Sequence, residues 1–238
     1  MATALAHLLV AYLILIAPWL SRLKYRQLQL RLASGQVGAR IRFYQIACIQ
    51  QLARILIVLA LCLLGSIPPR SMGLAGPISW YDTGRVLTIL AVVLAASIVL
   101  FHFVGDWQLR RLLKMVGALV PVSAAERRWF ALVGLGAGVS EEIVFRGFLF
   151  FYLARFTNFS STQIIVASSL LFGFCHIYQG WFGVLGTSLA GFCLAFLYAG
   201  TGSLLVPIVV HAALDLRLLL ILTPKRIEKL QPAPPRLT

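Results

Sequence analysis

Acidic residues are scarce in this chain. Aspartate and glutamate together number seven, against 21 lysines and arginines, and only 12% of the 238 residues are charged. Soluble globular domains carry about 25% charged residues, so an ordinary soluble domain is excluded. The net charge of +14 does not indicate nucleic-acid binding. The basic residues cluster in connections between apolar blocks, where the positive-inside rule places them, instead of forming one basic face.

Cysteine is also sparse. The four cysteines, Cys48, Cys62, Cys175 and Cys193, all lie in apolar blocks and none has CxxC spacing. This pattern excludes a disulfide framework and a thiolate zinc site, and is typical of small buried side chains. No basic region precedes the first apolar run, because the first basic residue is Arg22. We therefore predict an uncleaved N-terminal span instead of a signal peptide.

Long apolar blocks are what the sequence has instead, and apolar residues make up 60% of it. A membrane-spanning helix needs about 20 predominantly apolar residues. We therefore predict an all-α fold, a polytopic transmembrane helical bundle of seven spans, or eight helices if the stretch 21–43 contains an interfacial helix. The predicted blocks are 2–20, 44–67, 86–104, 129–151, 163–179, 181–199 and 203–222.

The distribution of basic residues predicts the topology. Fifteen lysines and arginines lie in the connections 21–43 and 105–128 and in the tail, against three in the connections 68–85 and 152–162. We therefore predict a multi-pass protein of the cell (inner) membrane, with its N-terminus outside and its C-terminus in the cytoplasm. We expect three regions, namely the N-terminal transmembrane helices 1–124, a helical core 125–222 and a disordered cytoplasmic tail 223–238.

The fourth block contains charges that a lipid environment disfavours. It reads SEEIVFRG at 140–147 and carries Glu141, Glu142 and Arg146. Charged groups at the centre of a span cost about 2.5–3.5 kcal/mol each on insertion scales, so a functional role is the default interpretation. On a helix Glu142 and Arg146 are i and i+4 and can pair. Glu141 is left without a local partner and becomes a candidate general base. Gly134 and Gly138, a GxxxG pattern, would let a neighbouring helix approach closely.

Two further blocks carry histidines. His176 lies in FGFCH, with Phe172 one turn earlier, where it would line a pocket or pack. His211 and Asp215 lie in HAALD at i and i+4, on one helix face. Three interpretations of this pair stay open: both side chains bind a metal, Asp215 orients the imidazole of a functional His211, or the two form a structural hydrogen bond.

Taken together, these motifs resemble those of the CPBP intramembrane proteases, which include the type II CAAX prenyl endopeptidases and bacterial proteins of bacteriocin processing and immunity. EEIVFR at 141–146 is similar to EExxxR, FGFCH at 172–176 to FxxxH, and HAALD at 211–215 to HxxxN/D. The resemblance covers about 125–220, less than half of the chain. It implies a helical membrane endopeptidase that acts on a membrane-associated or lipidated peptide or protein.

The resemblance also implies roles for individual residues. Glu141 and His176 would activate the attacking water, and His211 and Asp215 would stabilise the oxyanion. Glu142, Arg146 and Phe172 would support them. Asparagine would suit the oxyanion role better than Asp215, because an ionised carboxylate only accepts hydrogen bonds.

The family has been described both as glutamate-dependent and as metal-dependent. Glu141, His176 and His211 are the candidate ligands of a zinc ion with one open position. Two other functions stay open. A non-catalytic immunity or binding scaffold would keep the same polar core, and a proton-coupled transporter would use intramembrane glutamate and histidine as a relay. A transporter of this kind is expected to show inverted repeats, and the sequence has no evident repeat.

Overall fold

The computed structural model describes residues 2–65, 67–74 and 105–230, with scattered single residues between 84 and 99. Among these residues every regular element is helical, which confirms the all-α prediction. In chain order the α-helices are α1 (Ala2–Leu15), α2 (Ala17–Ala33), α3 (Ala39–Leu63), α4 (Asp106–Val116), α5 (Ala124–Glu142), α6 (Leu149–Phe156), α7 (Ser161–Cys175), α8 (Gly180–Thr201), α9 (Leu205–Ile221) and α10 (Pro224–Leu230). A π-helical segment, Ile143–Phe148, joins α5 to α6, and short 3-10 segments occur at Pro69–Met72, Gly117–Leu119 and Ile177–Gln179.

Fewer spans are supported than the sequence predicts. In the described part, α3 and the stretch Ile177–Thr201 are long and apolar enough to cross a membrane. The bent pair α1–α2, with a 50° angle, is a third candidate. Its break lies next to Pro18, which lacks the N–H that would continue the helix. Seven or eight spans are therefore not confirmed, and the predicted block 86–104 lies outside the described residues except for single positions.

Helix length explains much of this difference. The 15 residues of α7 extend about 22 Å, and the 17 residues of α9 extend about 26 Å. A hydrocarbon core is about 30 Å thick. The apolar blocks in which we predicted these spans therefore form helices that are shorter than a full crossing.

Two connections predicted as polar loops or tails contain helices. The stretch 21–43 is largely helical, because α2 continues to Ala33 and α3 begins at Ala39. An interfacial position of this helix stays a prediction. The prediction of a disordered tail is wrong for α10, whose Ile227 and Leu230 pack with Leu109 of α4. An apolar pair three residues apart gives this short helix one buried face. Residues 231–238 lie outside the described part.

α5 is the helix around which the site is arranged. α3 packs along one side of it and α9 along another, while α7 and α8 pack against each other as a helical hairpin. α3 runs parallel to α5, as two contacts show. The rings of Tyr44 and Phe130 lie 6.0 Å apart, and further along both helices the Gln51 amide donates to the Val133 carbonyl at 2.9 Å.

The polarity of the molecule is reversed relative to a soluble protein. Glu142 and Arg146 are 0% exposed at the centre. Large apolar side chains cover the outward faces of α3 and α8, namely Ile49, Leu52, Leu56, Leu63, Trp181, Phe182, Leu185, Leu189 and Phe196. Extended apolar surface of this kind marks a membrane or partner contact. A polar centre inside an apolar exterior agrees with a membrane protein.

Candidate active site

The C-terminal end of α5 positions the two adjacent glutamates. The helix begins with a capping box, in which the Ser123 hydroxyl accepts from the Glu126 N–H and the Glu126 carboxylate accepts from the Ser123 N–H. Glu141 and Glu142 are its last two residues, and the π-helical segment follows directly. Consecutive helical side chains point about 100° apart, so the two carboxylates face different neighbours. Single π turns occur frequently at functional sites.

Two glycines bring α9 against this end of α5. A Cβ atom added at Gly138 would lie 2.9 Å from the Cβ of Ala212, and one added at Gly134 would lie 3.2 Å from the Cβ of Asp215. Both distances are shorter than the 3.5–4.0 Å optimum between carbon atoms. The predicted role of the GxxxG pattern in close helix approach is therefore confirmed. The glycines allow the helix that carries His211 and Asp215 to reach the glutamates.

Glu142 is the centre of a fully buried polar network. Arg146 donates from Nη1 to Glu142 Oε1 at 2.8 Å, so the predicted i,i+4 pair is present. The same oxygen accepts a hydrogen bond from His211 Nδ1 at 2.7 Å, which the sequence did not predict. Arg146 Nη2 donates to the Gly191 carbonyl of α8 at 2.8 Å. One carboxylate thus joins the π segment to α9, and the guanidinium extends the network to α8.

The ring of His211 is oriented by Glu142. Because Nδ1 donates to that carboxylate, Nε2 is the ring atom left for other partners. It lies 3.9 Å from Asp215 Oδ2, which is beyond hydrogen-bond distance. The alternatives in which Asp215 hydrogen-bonds His211 are therefore not found. The physical reason is that the Asp215 side chain, 38% exposed, lies on the open side of α9. Glu142, at the C-terminal end of α5, instead contacts the ring directly.

Glu141 faces the second histidine. His176 follows the last residue of α7, and its Nδ1 donates to the Phe172 carbonyl at 2.8 Å. The other ring nitrogen, Nε2, lies 3.9 Å from Glu141 Oε2. This distance is too long for a direct hydrogen bond, and a separation above 3.5 Å fits a bridging water. The two side chains are 17% and 15% exposed, so neither is fully buried.

Phe172 forms the wall between the two histidines. Its ring centroid lies 4.8 Å from that of His176 and 5.8 Å from that of His211. The guanidinium carbon of Arg146 lies over the same ring at 4.7 Å, a cation–π contact. Of the two predicted roles for Phe172, packing and lining a pocket, the contacts show the packing, and the second stays a prediction. All seven predicted site residues lie in one cluster, although their catalytic roles stay predictions.

The predicted zinc ligands do not form a metal site. Within the described ranges, no group of three His, Cys, Asp or Glu side chains is arranged to hold a metal ion. His176 and His211 each use Nδ1 for a carbonyl or carboxylate partner, which leaves Nε2 as the ring atom for a metal, but these nitrogens and the Glu141 carboxylate do not converge on one point. Glu141, His176 and His211 therefore do not fit a common metal, and we derive no reaction step through one.

Two residues near the site were missed from the sequence. Arg54 lies within the apolar block 44–67 and acts electrostatically on Glu141. The sequence alone could have indicated Arg54, because a cation inside a membrane span is a functional candidate by default. Tyr178 places its ring 5.8 Å from that of His176 and lies in the electrostatic range of Glu141 and Asp215. No sequence signal distinguishes this tyrosine from one that anchors a span at the membrane interface.

Comparison with known proteins gives a family match over the part of the chain that carries the site. A family model described as Type II CAAX prenyl endopeptidase Rce1-like matches residues 123–217, about two fifths of the chain. The match includes α5, the π segment, α7 and most of α9, and therefore all the predicted site residues. No curated protein and no solved structure matches the chain. Residues 123–217 are an Rce1-like segment, and the resemblance to the CPBP intramembrane proteases is confirmed for this part of the chain.

Proposed function

We propose that the protein is an intramembrane endopeptidase that hydrolyses a peptide bond of a membrane-associated or lipidated peptide or protein, with a water activated by Glu141. The observation that carries the proposal is the gap between Glu141 Oε2 and His176 Nε2, 3.9 Å wide. The Rce1-like segment suggests the same class of reaction. Because His176 Nδ1 is the donor to Phe172, Nε2 of the neutral ring is an acceptor. Two acceptors facing each other favour a water that donates one hydrogen bond to each.

In the first step the oxygen of this water attacks the carbonyl carbon of the substrate. Glu141 takes one proton from the water, and the carbonyl oxygen becomes an oxyanion. His211 is the donor that we assign to the oxyanion, through Nε2 when the ring is protonated. Glu142, which accepts from Nδ1 at 2.7 Å, stabilises that positive ring. Asp215 lies 3.9 Å from Nε2 and adds to the electrostatic stabilisation of the imidazolium.

In the second step the tetrahedral intermediate collapses and the C–N bond breaks. Protonated Glu141 returns its proton to the leaving amine, so the products are one carboxylic acid and one amine and the enzyme is regenerated. His176 holds the water and the protonated carboxyl in place. Arg146 transfers no proton in this scheme. It stabilises the position of Glu142 through the 2.8 Å pair, and Phe172 keeps the two histidines apart.

We also propose a place for the reaction in the cell. The chain would be a multi-pass protein of the inner membrane with its N-terminus outside and its C-terminus in the cytoplasm, as the distribution of basic residues predicts. Reporter fusions after Ala33 and after Leu230, scored for cytoplasmic and for external activity, test this orientation. The same compartment for both fusion points is expected, because both segments belong to the basic side.

Replacement of Glu141 by glutamine tests the proposed reaction. The change keeps the size of the side chain and removes the base. Purified protein in liposomes would be incubated with an N-terminally labelled mixture of membrane-protein peptides, and new termini would be identified by mass spectrometry. We expect the variant to lose at least about a hundredfold in cleavage rate, the usual contribution of a general base.

Glu126→Gln is the matched control. It makes the same chemical change at the other end of α5, and glutamine preserves a capping box. We expect the control to cleave the same peptides at close to the wild-type rate. Cleavage by Glu141→Gln at the control rate would refute the proposed function. A biological effect that survives both Glu141→Gln and His176→Ala would favour a non-catalytic immunity or binding scaffold instead.

A further inference from the structure

Arg54 of α3 acts electrostatically on Glu141, which belongs to a different helix. α3 runs parallel to α5, and Gln51 is hydrogen-bonded to Val133. Arg54 is three residues further along, on a similar face of α3. Because the two helices are parallel, the residues of α5 nearest to Arg54 lie beyond Val133, towards the C-terminal end of α5 that carries Glu141. The electrostatic effect of Arg54 on Glu141 and on Cys175, the residue before His176, agrees with this register.

The guanidinium of Arg54 is not neutralised by a neighbouring acid. Its Nε is buried and has no hydrogen-bond partner in the part of the chain that the structure describes. Within the same part, no carboxylate oxygen lies at salt-bridge distance from it. An arginine in an apolar span is costly and normally has a partner. The fold therefore retains a cation next to the proposed reaction centre without giving it a counter-ion.

A second cation, Lys24, lies within electrostatic range of Arg54. Lys24 of α2 is partly buried and is repelled electrostatically by Arg54. The carboxylates of Glu141 and Asp215, which interact electrostatically with each other, lie outside the neutral buried pair of Glu142 and Arg146. Within the described residues neither carboxylate lies at salt-bridge distance from Arg54 or Lys24, so both cations are open to a bound anion.

We propose that Arg54, assisted by Lys24, binds a carboxylate of the peptide substrate and so selects peptides that carry one next to the bond that is cleaved. This inference rests on the proposed function and names the substrate chemistry of that site. A guanidinium forms two parallel hydrogen bonds with a carboxylate, and such pairs are the strong ones in a poorly hydrated site. The carboxylate comes either from the C-terminus of the peptide or from an acidic side chain, and the experiment separates these sources.

A binding measurement tests the inference independently of cleavage. The probes are three versions of one apolar six-residue peptide with an N-terminal fluorophore. The first has a free C-terminal carboxylate, the second has a C-terminal amide, and the third has the amide and one internal glutamate. Fluorescence anisotropy with the Glu141→Gln protein in detergent micelles gives the affinities. We expect at least one of the carboxylate peptides to bind about tenfold more tightly than the neutral amide.

The contribution of Arg54 is isolated by two further substitutions in the same Glu141→Gln background. Arg54→Gln is expected to abolish the preference for the carboxylate and to leave the affinity of the neutral amide unchanged. Arg54→Lys keeps the charge and is expected to retain part of the preference, although lysine lacks the fork of donors. Loss of an unpaired cation removes a desolvation cost, so the melting temperature of Arg54→Gln should be equal to or above that of its parent.

The outcomes separate the inference from the proposed function. Equal binding of all three peptides, or no detectable binding of any of them, would overturn the role of Arg54, whatever the result for cleavage. An equal weakening of charged and neutral peptides by Arg54→Gln would also overturn it, because Arg54 would then act through Glu141 or the fold. A carboxylate preference that depends on Arg54, in a protein that never cleaves a peptide, would support the anion site and count against the endopeptidase.

Discussion

Replacing Glu142 by glutamine removes one negative charge from the centre of the molecule and hardly changes the volume of the side chain. Glu142 and Arg146 are both 0% exposed and pair at 2.8 Å. Without the carboxylate, the guanidinium keeps the Gly191 carbonyl at 2.8 Å and the face of Phe172 as partners. Neither neutralises a full charge, and breaking a buried ion pair in this way costs about 3–5 kcal/mol.

Replacing both partners separates stability from catalysis. In Glu142→Gln combined with Arg146→Met the buried charges disappear together, and a neutral core of similar volume is often as stable as a buried ion pair. We therefore expect the double variant to recover most of the stability that Glu142→Gln loses. Its cleavage rate should stay at least about tenfold below wild type. The neutral amide of the introduced glutamine stabilises a protonated His211 less than the Glu142 carboxylate does.

Thermal unfolding in detergent micelles, followed by tryptophan fluorescence, measures the first effect. A loss of 3–5 kcal/mol corresponds to a fall of roughly 10 °C in melting temperature for a chain of this size. The four proteins of the cycle, wild type, Glu142→Gln, Arg146→Met and the double variant, give the coupling energy of the pair. A fall of less than about 2 °C for Glu142→Gln, or a coupling near zero, would refute the buried-network argument.

Three further predictions concern helix packing, the second histidine and metal. Gly138→Ala should lower the melting temperature and the cleavage rate, because its Cβ would lie 2.9 Å from that of Ala212 and such overpacking costs about 1–3 kcal/mol. Gly186→Ala is the neutral control, because nothing lies within 4 Å of a Cβ added there. Equal melting temperatures of the two variants would contradict the argument. His176→Asn should lower the cleavage rate at least about a hundredfold with a melting temperature close to wild type, and a rate near wild type would exclude His176 from the reaction. Dialysis against a chelator, checked by elemental analysis, should change the rate by less than about twofold, because the candidate donors do not converge, and loss of activity that added zinc restores would contradict this.

Much of the site followed from spacing along the chain. The i,i+4 relation predicts the pair of Glu142 and Arg146, and the structure contains it. The glycine pattern predicts a close neighbour for α5, and α9 is that neighbour. Local helical geometry is enough for both predictions, since each depends only on which residues share a helix face.

The relation of Glu142 to His211 could not be predicted in this way. These residues are 69 positions apart, and their 2.7 Å contact depends on the rotation of α9 about its own axis. Spacing instead suggested Asp215 as the partner of His211, because the two share a helix face. The structure shows why this reasoning is incomplete. A shared face brings two side chains near each other, but a neighbouring helix that approaches over glycines can bring a better acceptor.

The two adjacent glutamates illustrate how one helix end supplies two different groups. About 100° separates them around α5, so Glu142 points to Arg146 and His211, while Glu141 points to His176. Glu142 has two cationic or donor partners at 2.7–2.8 Å, so it serves as a positioning group. Glu141 has its nearest such partner at 3.9 Å. The looser contact leaves room for the reacting water beside Glu141, whereas Glu142 is fully buried and already accepts two short hydrogen bonds at Oε1.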